Sequence, residues 1–234
     1  MKRPRRVGRL ISWTLGWLVI LVLLWQGWYL GWVVWWKFVN PDTTSFMSLQ
    51  LDRLQEKNPD AKLKHVWIPY ERISPRLKQA VVAAEDDKFI EHDGFDWEGM
   101  QKAMEKNRRR GRFVAGGSTI SQQLAKNLFL SATKTPWRKA QEAVITVMIE
   151  TLWDKRRILE VYLNSVEWGQ GVFGAEAAAR RYFGVSASQL SAAQAARLAV
   201  MLPAPRRFEK NPYSGYLNYR TDRILGRMQY SEVP

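Results

Sequence analysis

Two glutamates occupy positions where an amphipathic helix would carry apolar side chains. Glu85 follows Leu77 and Val81 at intervals of four residues, and Phe89 continues the series. This spacing places all four on one face of a helix, which a Ser-Pro start predicts from residue 75 to about residue 89. Burial without a partner raises the pKa of a carboxyl group, which suits a general acid or base. A carboxylate satisfied by a helix cap or an ion pair explains the same pattern.

Glu142 stands in a similar position. It shares a face with Ile145, Ile149 and Leu152 in a second helix, predicted from Pro136 to about residue 153. Two carboxylates on the apolar faces of separate helices resemble the paired carboxylates of glycosidic chemistry. The sequence leaves their separation open.

Cations stand in an unusual place at the start of the same helix. Arg138 and Lys139 fall in its first turn, where the helix dipole favours anions. Free backbone amides, the dipole and two cations together would bind a diphosphate. The alternative is that both side chains point into water.

A glycine-rich turn and a polar helix face supply a matching element. Gly116-Gly117 lets backbone approach a ligand, and Ser118 is predicted to cap a helix from about Thr119 to Leu130. The polar face of that helix carries amides and a lysine, Gln122, Gln123, Lys126 and Asn127. Such a face suits sugar hydroxyls and phosphate, although a solvated face explains it nearly as well.

The segment after Glu85 is dense in polar groups. Asp86, Phe89 and His92 lead into a glycine turn at Gly94. His65 and His92 are too few and too far apart to indicate a metal site, so no metal motif is assigned. The basic run from Lys106 to Arg112 is predicted to be a loop, either solvated or touching anionic headgroups, where each cation would contribute about 1 kcal/mol.

The N-terminus predicts a membrane anchor. Five basic residues within 1–9 precede an uncharged run over 10–36, which holds seven of the twelve tryptophans and is long enough to span a bilayer. The positive-inside rule places 1–9 in the cytoplasm and everything after Lys37 outside. We therefore predict a cytoplasmic tail over 1–9, an anchor over 10–36, a juxtamembrane segment over 37–60 and one mainly helical domain over 61–234.

Composition narrows the chemistry further. Lys and Arg number 36 against 22 for Asp and Glu, a formal charge of +14, which indicates a polyanionic partner. The predicted topology disfavours nucleic acid and favours a phosphate-bearing substrate at a membrane surface. There are no cysteines, which excludes disulfides, thiolate catalysis and Cys-ligated zinc.

Taken in order along the chain, these motifs resemble the peptidoglycan glycosyltransferases, glycosyltransferase family 51, and especially the monofunctional members of Gram-negative bacteria. The resemblance covers roughly Ile68 to Asn211 and the anchor. It is carried by five segments, 85–94, 116–127, 138–143, 157–164 and 198–212. The absence of transpeptidase motifs before Pro234 favours a monofunctional enzyme.

The resemblance implies a lysozyme-like helical fold with a large lobe and a small membrane-facing lobe. It implies that Glu85 is the catalytic base, that the donor is a growing glycan on undecaprenyl diphosphate, and that the acceptor is lipid II. Glu142 would position the acceptor or support the diphosphate side of the site. The remaining contacts would come from Asp86, Phe89, His92, Gly117, Ser118, Thr119, Gln122, Gln123, Lys126, Asn127, Arg138 and Lys139.

The resemblance also implies a divalent cation, usually Mg²⁺, held mainly by phosphate oxygens and water. It implies a bacterial inner membrane, with the catalytic domain in the periplasm.

Two other functions are compatible with parts of the pattern. An anchored lytic enzyme that cleaves glycan strands would share the fold and an essential glutamate, but it needs no diphosphate site. A non-catalytic scaffold for cell-wall synthesis or division proteins would leave Glu85 and Glu142 dispensable. The tryptophan-rich anchor could also bind partner helices of such proteins.

Overall fold

The structure is a computed structural model that describes the backbone of residues 4–112, 116–133 and 135–234, with side chains from residue 12 onward in these ranges. The chain divides into two compact units, Met1–Val39 and Asn40–Pro234. The basic side chains of the predicted cytoplasmic tail lie outside the described residues.

The first unit is one long helix, α1 (Pro4–Phe38). Its stretch Ser12–Phe38, 27 residues long, is apolar enough to cross a membrane by length and composition. At about 1.5 Å per residue it exceeds the roughly 30 Å hydrocarbon core of a bilayer. It therefore fits a single-pass anchor.

The second unit is mainly α-helical, as predicted. Its helices are α2 (Ser45–Gln55), α3 (Pro75–Glu85), α4 (Trp97–Arg110), α5 (Ile120–Phe129), α6 (Pro136–Leu152), α7 (Lys155–Ser165), α8 (Ala175–Phe183), α9 (Ala192–Met201), α10 (Pro205–Phe208) and α11 (Gly215–Arg227). Short 3₁₀ turns lie at Tyr70–Arg72, Ala187–Gln189 and Met228–Tyr230. A small sheet is formed by β1 (Lys64–His65), β2 (Glu167–Gly169) and β3 (Val172–Phe173).

The sheet is too short to form a layer of its own. Its strand order is β1-β3-β2, with β1 parallel and β2 antiparallel to β3. Within residues 62–70, only Lys64 and His65 form a strand. Asn164 holds that stretch by bonding both the N–H and the carbonyl of Ile68, at 2.9 and 3.0 Å.

Two groups of helices meet around the site. α3 packs on α9 and α9 packs on α11, while α5 packs on both α6 and α7. The apolar faces predicted from helical spacing are buried, with Leu77, Val81, Ile145 and Ile149 all at 0% exposure. Glu85 at the end of α3 and Gln123 on α5 meet beside these buried faces.

Three local predictions are wrong. α3 ends at Glu85, not near Phe89, because the chain leaves helical geometry at Asp86 (φ −162°, ψ 73°). The cap of α5 is Thr119, not Ser118; its hydroxyl accepts from the N–H of Gln122 in a capping box.

The third error concerns the basic run predicted as a loop. Most of it, to Arg110, forms the last turns of α4, and Gly111 caps this helix in the left-handed conformation. Cations in a last turn are favoured by the helix dipole, so helix is the better interpretation of this run.

Candidate active site

Glu85 is the last residue of α3 and is half-buried. Its Oε2 accepts a hydrogen bond of 2.8 Å from Nε2 of Gln123 on α5. Burial raises the pKa of Glu85, and the charge of Asp86 raises it further; the Gln123 bond and the charges of Lys126 and Arg220 oppose the shift. The net direction is upward, which poises this carboxyl group to take and release a proton nearer to neutral pH.

The Gln123 side chain is also hydrogen-bonded to the core. The hydroxyl of Tyr162, a fully buried residue on α7, donates to Oε1 of Gln123 at 3.0 Å. The amide therefore accepts from Tyr162 on one side and donates to Glu85 on the other.

Asp86 uses both carboxylate oxygens within the protein. Oδ1 lies 2.9 Å from Nε2 of His92, and Oδ2 accepts from the N–H of Ile120 at 2.9 Å. Because Nδ1 of His92 accepts from the N–H of Gly94 at 3.1 Å, the proton of a neutral His92 lies on Nε2 and is donated to Asp86. Asp86 thus joins the turn after Glu85 to the first turn of α5.

Thr119 and Gln122 complete this junction. The Thr119 hydroxyl donates to the carbonyl of Gly94 at 2.7 Å and accepts from the N–H of Gln122. The Gln122 side chain accepts from the N–H of Thr119 at 3.1 Å, and both residues are buried. Their polar groups bond to each other and to the glycine turn.

Phe89 lies beneath the same turn. It is fully buried, and the ammonium of Lys155 lies 4.7 Å from its ring centre. Lys155 also donates to the carbonyl of His92 at 2.5 Å and pairs with Glu150 at 2.9 Å. The turn that follows the candidate base is therefore fastened from α5, α6 and α7.

An open pocket of about 140 Å³ lies beside Glu85. The glycine-rich turn forms one wall, where a Cβ on Gly117 would lie 3.1 Å from the Cα of Met100 on α4. Ser118 is exposed in this wall. The other lining residues include Asp86, Asp87, Asp96 and Arg227.

Glu142 pairs with the two cations of the first turn of α6. Its Oε2 accepts from Arg138 at 2.5 Å, its Oε1 accepts from Lys139, and its side chain is 4% exposed. Lys139 also lies 3.4 Å from the Ser118 hydroxyl and is the more open of the two cations. The ion pairs account for a carboxylate on an apolar face, and they also hold the cations beside the glycine-rich wall.

Lys126 links the two glutamates electrostatically. Burial lowers its pKa, the charges of Arg138 and Lys139 lower it further, and those of Glu142 and Glu85 raise it. Within the described part of the chain, no carboxylate oxygen lies within 4.0 Å of its ammonium. Asn127, the next residue of the predicted polar face, is buried.

Three residues near the site were missed in the sequence. Arg220 and Arg227 lie seven residues apart on α11 and therefore on one face. The charge of Arg220 lowers the pKa of Glu85. Arg227 lines the pocket and donates to the carbonyl of Ala83. Their spacing was visible, but nothing in the sequence showed that α11 reaches α3. Tyr162 lay in a recognised motif and was given no role.

The residues described contain no group of three His, Cys, Asp or Glu side chains that could hold a metal ion. Two carboxylates of the pocket bond within the protein, since Asp86 is bonded as above and Asp96 caps α4.

The site combines a half-buried carboxylate of raised pKa with neighbouring cations, groups that suit proton transfer and the binding of phosphate. The family model described as Transglycosylase matches residues 52–229, and the chain belongs to this family.

Similar proteins cover nearly the whole chain. A protein of Azoarcus sp. (strain BH72) is 67% identical over 214 residues, 92% of each chain. One of Aromatoleum aromaticum is 65% identical over 93% of this chain and 94% of its own. One of Dechloromonas aromatica (strain RCB) is 59% identical over 97% and 99%. Each is named a biosynthetic peptidoglycan transglycosylase.

Proposed function

We propose that Glu85 is the general base of a peptidoglycan glycosyltransferase reaction carried out in this cleft. The chain is a peptidoglycan glycosyltransferase, and its family implies lipid II and a glycan chain as substrates. In the proposed step, Glu85 takes the proton of the GlcNAc 4-hydroxyl of lipid II. The oxygen attacks the anomeric carbon of the growing glycan with inversion, and the bond to undecaprenyl diphosphate breaks.

The observation that carries this proposal is the setting of Glu85. It is a half-buried carboxylate at the open pocket, its pKa is raised, and Gln123 donates to one oxygen. The other oxygen, Oε1, is left to accept the acceptor's hydroxyl proton. Asp86 cannot serve equally well, because both its oxygens already hold the protein together.

The leaving diphosphate is assigned to the cations at the start of α6 and on α5. Lys126, Arg138 and Lys139 bring three positive charges and Glu142 one negative charge, so the cluster carries a net charge of +2. Among the described residues, Nε of Arg138 is a buried donor without a partner, and a phosphate oxygen would satisfy it. Positive charge fixed before the bond breaks stabilises a diphosphate leaving group.

Glu142 serves in this proposal by holding those cations. It contacts Arg138 and Lys139 directly, and its carboxylate leaves no oxygen free of them. Ser118, beside Lys139, and Asn127 are proposed to line the substrate cleft. Asp86, Phe89, His92, Gly117, Thr119 and Gln122 contribute by fixing the shape of the turn and of the α5 start.

The membrane setting is proposed from the apolar helix and the substrate. Ser12–Phe38 would span the bacterial inner membrane with the basic N-terminus in the cytoplasm and residues after Lys37 in the periplasm. Tethering raises the concentration of the enzyme near a substrate confined to the bilayer. Binding of other cell-wall or division proteins by the anchor stays a prediction.

The Mg²⁺ expected from the resemblance also stays a prediction. Its test is the rate of lipid II polymerisation after dialysis against a chelator, before and after Mg²⁺ is restored. A rate that the chelator leaves unchanged would refute the requirement.

The reaction itself is tested with the detergent-purified full chain. Labelled lipid II is incubated with the enzyme, products are resolved by size, and released undecaprenyl diphosphate is measured. We expect longer glycans and one diphosphate per linkage formed. Degradation of preformed glycan, with no consumption of lipid II, would refute the proposal and favour the lytic alternative; inactivity on both would favour the scaffold.

A further inference from the structure

The buried hydroxyl of Tyr162 reaches the catalytic carboxylate through a single intermediary. It donates to Oε1 of Gln123 at 3.0 Å, and Nε2 of the same amide donates to Glu85 at 2.8 Å. Tyr162 lies on α7 and is at 0% exposure, so water does not compete for its hydroxyl. The three groups form one hydrogen-bonded chain from the core to the cleft.

The chain has a fixed direction. A side-chain amide has an acceptor end and a donor end, and rotating it by half a turn exchanges them. With Tyr162 donating to the oxygen, the NH₂ end must face Glu85. In the rotated state the amide oxygen would face a carboxylate, and the hydrogen bond that favours the ionised form would be lost.

The hydroxyl of Tyr162 is a dependable donor. Burial raises its pKa well above the ordinary value, and the charges of Glu85 and Asp86 raise it further. It therefore keeps its proton throughout the range in which Glu85 titrates.

We propose that Tyr162 is a positioning residue, which fixes the orientation of the Gln123 amide so that this amide donates to Glu85 and keeps it ionised. The proposal rests on Glu85 being the base. Tyr162 touches no substrate; it acts through Gln123.

Other charges also face Glu85 and must stay in place during the test. Asp86 follows it at the end of α3, Lys126 faces it from α5 and Arg220 from α11. Among the described residues, none of these three hydrogen-bonds to Tyr162 or to Gln123, so removing the Tyr162 hydroxyl leaves these charges in place.

The test is the pH dependence of kcat/KM for lipid II in Tyr162→Phe, which loses the hydroxyl and keeps the ring. Without this relay, the hydrogen-bonded path from Tyr162 through Gln123 to Glu85, the pKa of Glu85 rises. The acid limb of the pH profile, where kcat/KM falls because Glu85 becomes protonated, therefore moves to higher pH by about one unit, as expected for weakening one hydrogen bond to a charged group. Below the limb, kcat/KM falls about tenfold. Above it, the rate approaches that of the wild type, since Glu85 is ionised there in both.

Tyr182→Phe is the matched control. Its hydroxyl donates to the carbonyl of Trp168 at 2.9 Å, outside the cleft. This variant loses a part-buried tyrosine hydroxyl as well, and we expect its acid limb to stay in place. An equal shift in Tyr182→Phe would overturn the proposal, because a general loss of stability would then explain both.

A double variant separates a relay from a direct effect. In a Gln123→Leu background, which itself moves the acid limb upward, adding Tyr162→Phe is expected to cause no further shift. Additive shifts would overturn the relay.

Gln123→Leu also carries the test if Tyr162→Phe does not fold, and an unmoved acid limb would refute the proposal. The failure of the proposed base is distinguishable from these results: Glu85→Gln would then keep turnover. If the acid limb stays in place in Tyr162→Phe while Glu85→Gln is inactive, the proposed role of Tyr162 is refuted and Glu85 remains the base.

Discussion

Replacing Gly94 with alanine tests whether the turn after Glu85 is as tightly fastened as the structure shows. Gly94 has φ +89°, a region that alanine rarely adopts. A Cβ there would lie 2.8 Å from Cγ2 of Thr146 and 2.9 Å from Cγ of Glu150. Neither neighbour can move freely: Thr146 is fully buried with its hydroxyl bonded to the Glu142 carbonyl, and Lys155 holds Glu150.

The cost has two parts. Left-handed backbone costs a non-glycine residue roughly 1–2 kcal/mol. Forcing a methyl group into a filled space costs about 1–3 kcal/mol more. Gly184 is a matched control, because its φ is +67° and its added Cβ would meet nothing within 4 Å. Gly184→Ala therefore carries only the cost of the left-handed backbone.

The assay is thermal unfolding of the detergent-purified full chain, followed by circular dichroism. For a domain of this size 1 kcal/mol shifts Tm by roughly 2–4 °C. We expect Gly94→Ala to unfold about 4–8 °C below Gly184→Ala, which corresponds to about 2 kcal/mol of overpacking. Equal Tm values for the two variants would refute the argument that α6 closes on this turn.

Three further results are expected. The acid limb of kcat/KM should lie above pH 4.5, the ordinary value for a glutamate, because a base must be ionised and the pKa of Glu85 is raised; a limb at or below 4.5 would contradict this. Glu142→Gln should lower the free energy of unfolding in urea by about 2 kcal/mol, since Arg138 loses the charge that compensates it; unchanged stability would contradict the buried ion pair. Lys126→Met should lower kcat/KM about 100-fold while exposed Lys102→Met does not; equal effects would remove Lys126 from the diphosphate site.

Much of the site was predictable because helical spacing is local. The intervals of four that placed Glu85 on an apolar face, and the polar face of Gln123 and Lys126, needed no knowledge of the rest of the chain. The helix predicted from Pro136 does begin there, and Thr135 caps it by accepting from the N–H of Arg138.

The contacts between helices were not predictable in the same way. The bond from Asp86 to the N–H of Ile120 joins residues 34 positions apart, and no spacing rule reports it. Arg220 comes from α11, which packs on both α9 and α3 although it is far from α3 in sequence. Glu142 stands four residues after Arg138 and three after Lys139, spacings at which side chains of a helix pair. The sequence pattern alone indicates a lone carboxylate and a separate diphosphate site, and does not show that the three side chains bond to each other.

The central claim, that Glu85 is the base, is tested most directly by comparing two glutamate-to-glutamine variants from one segment. Glu91 is exposed and lies six residues after Glu85, so Glu91→Gln is the matched control. Polymerisation of labelled lipid II and its binding are measured for both full-length proteins. We expect Glu85→Gln to bind lipid II but form no glycan, with Glu91→Gln active at the wild-type rate. Polymerisation by Glu85→Gln at the control's rate would contradict the account.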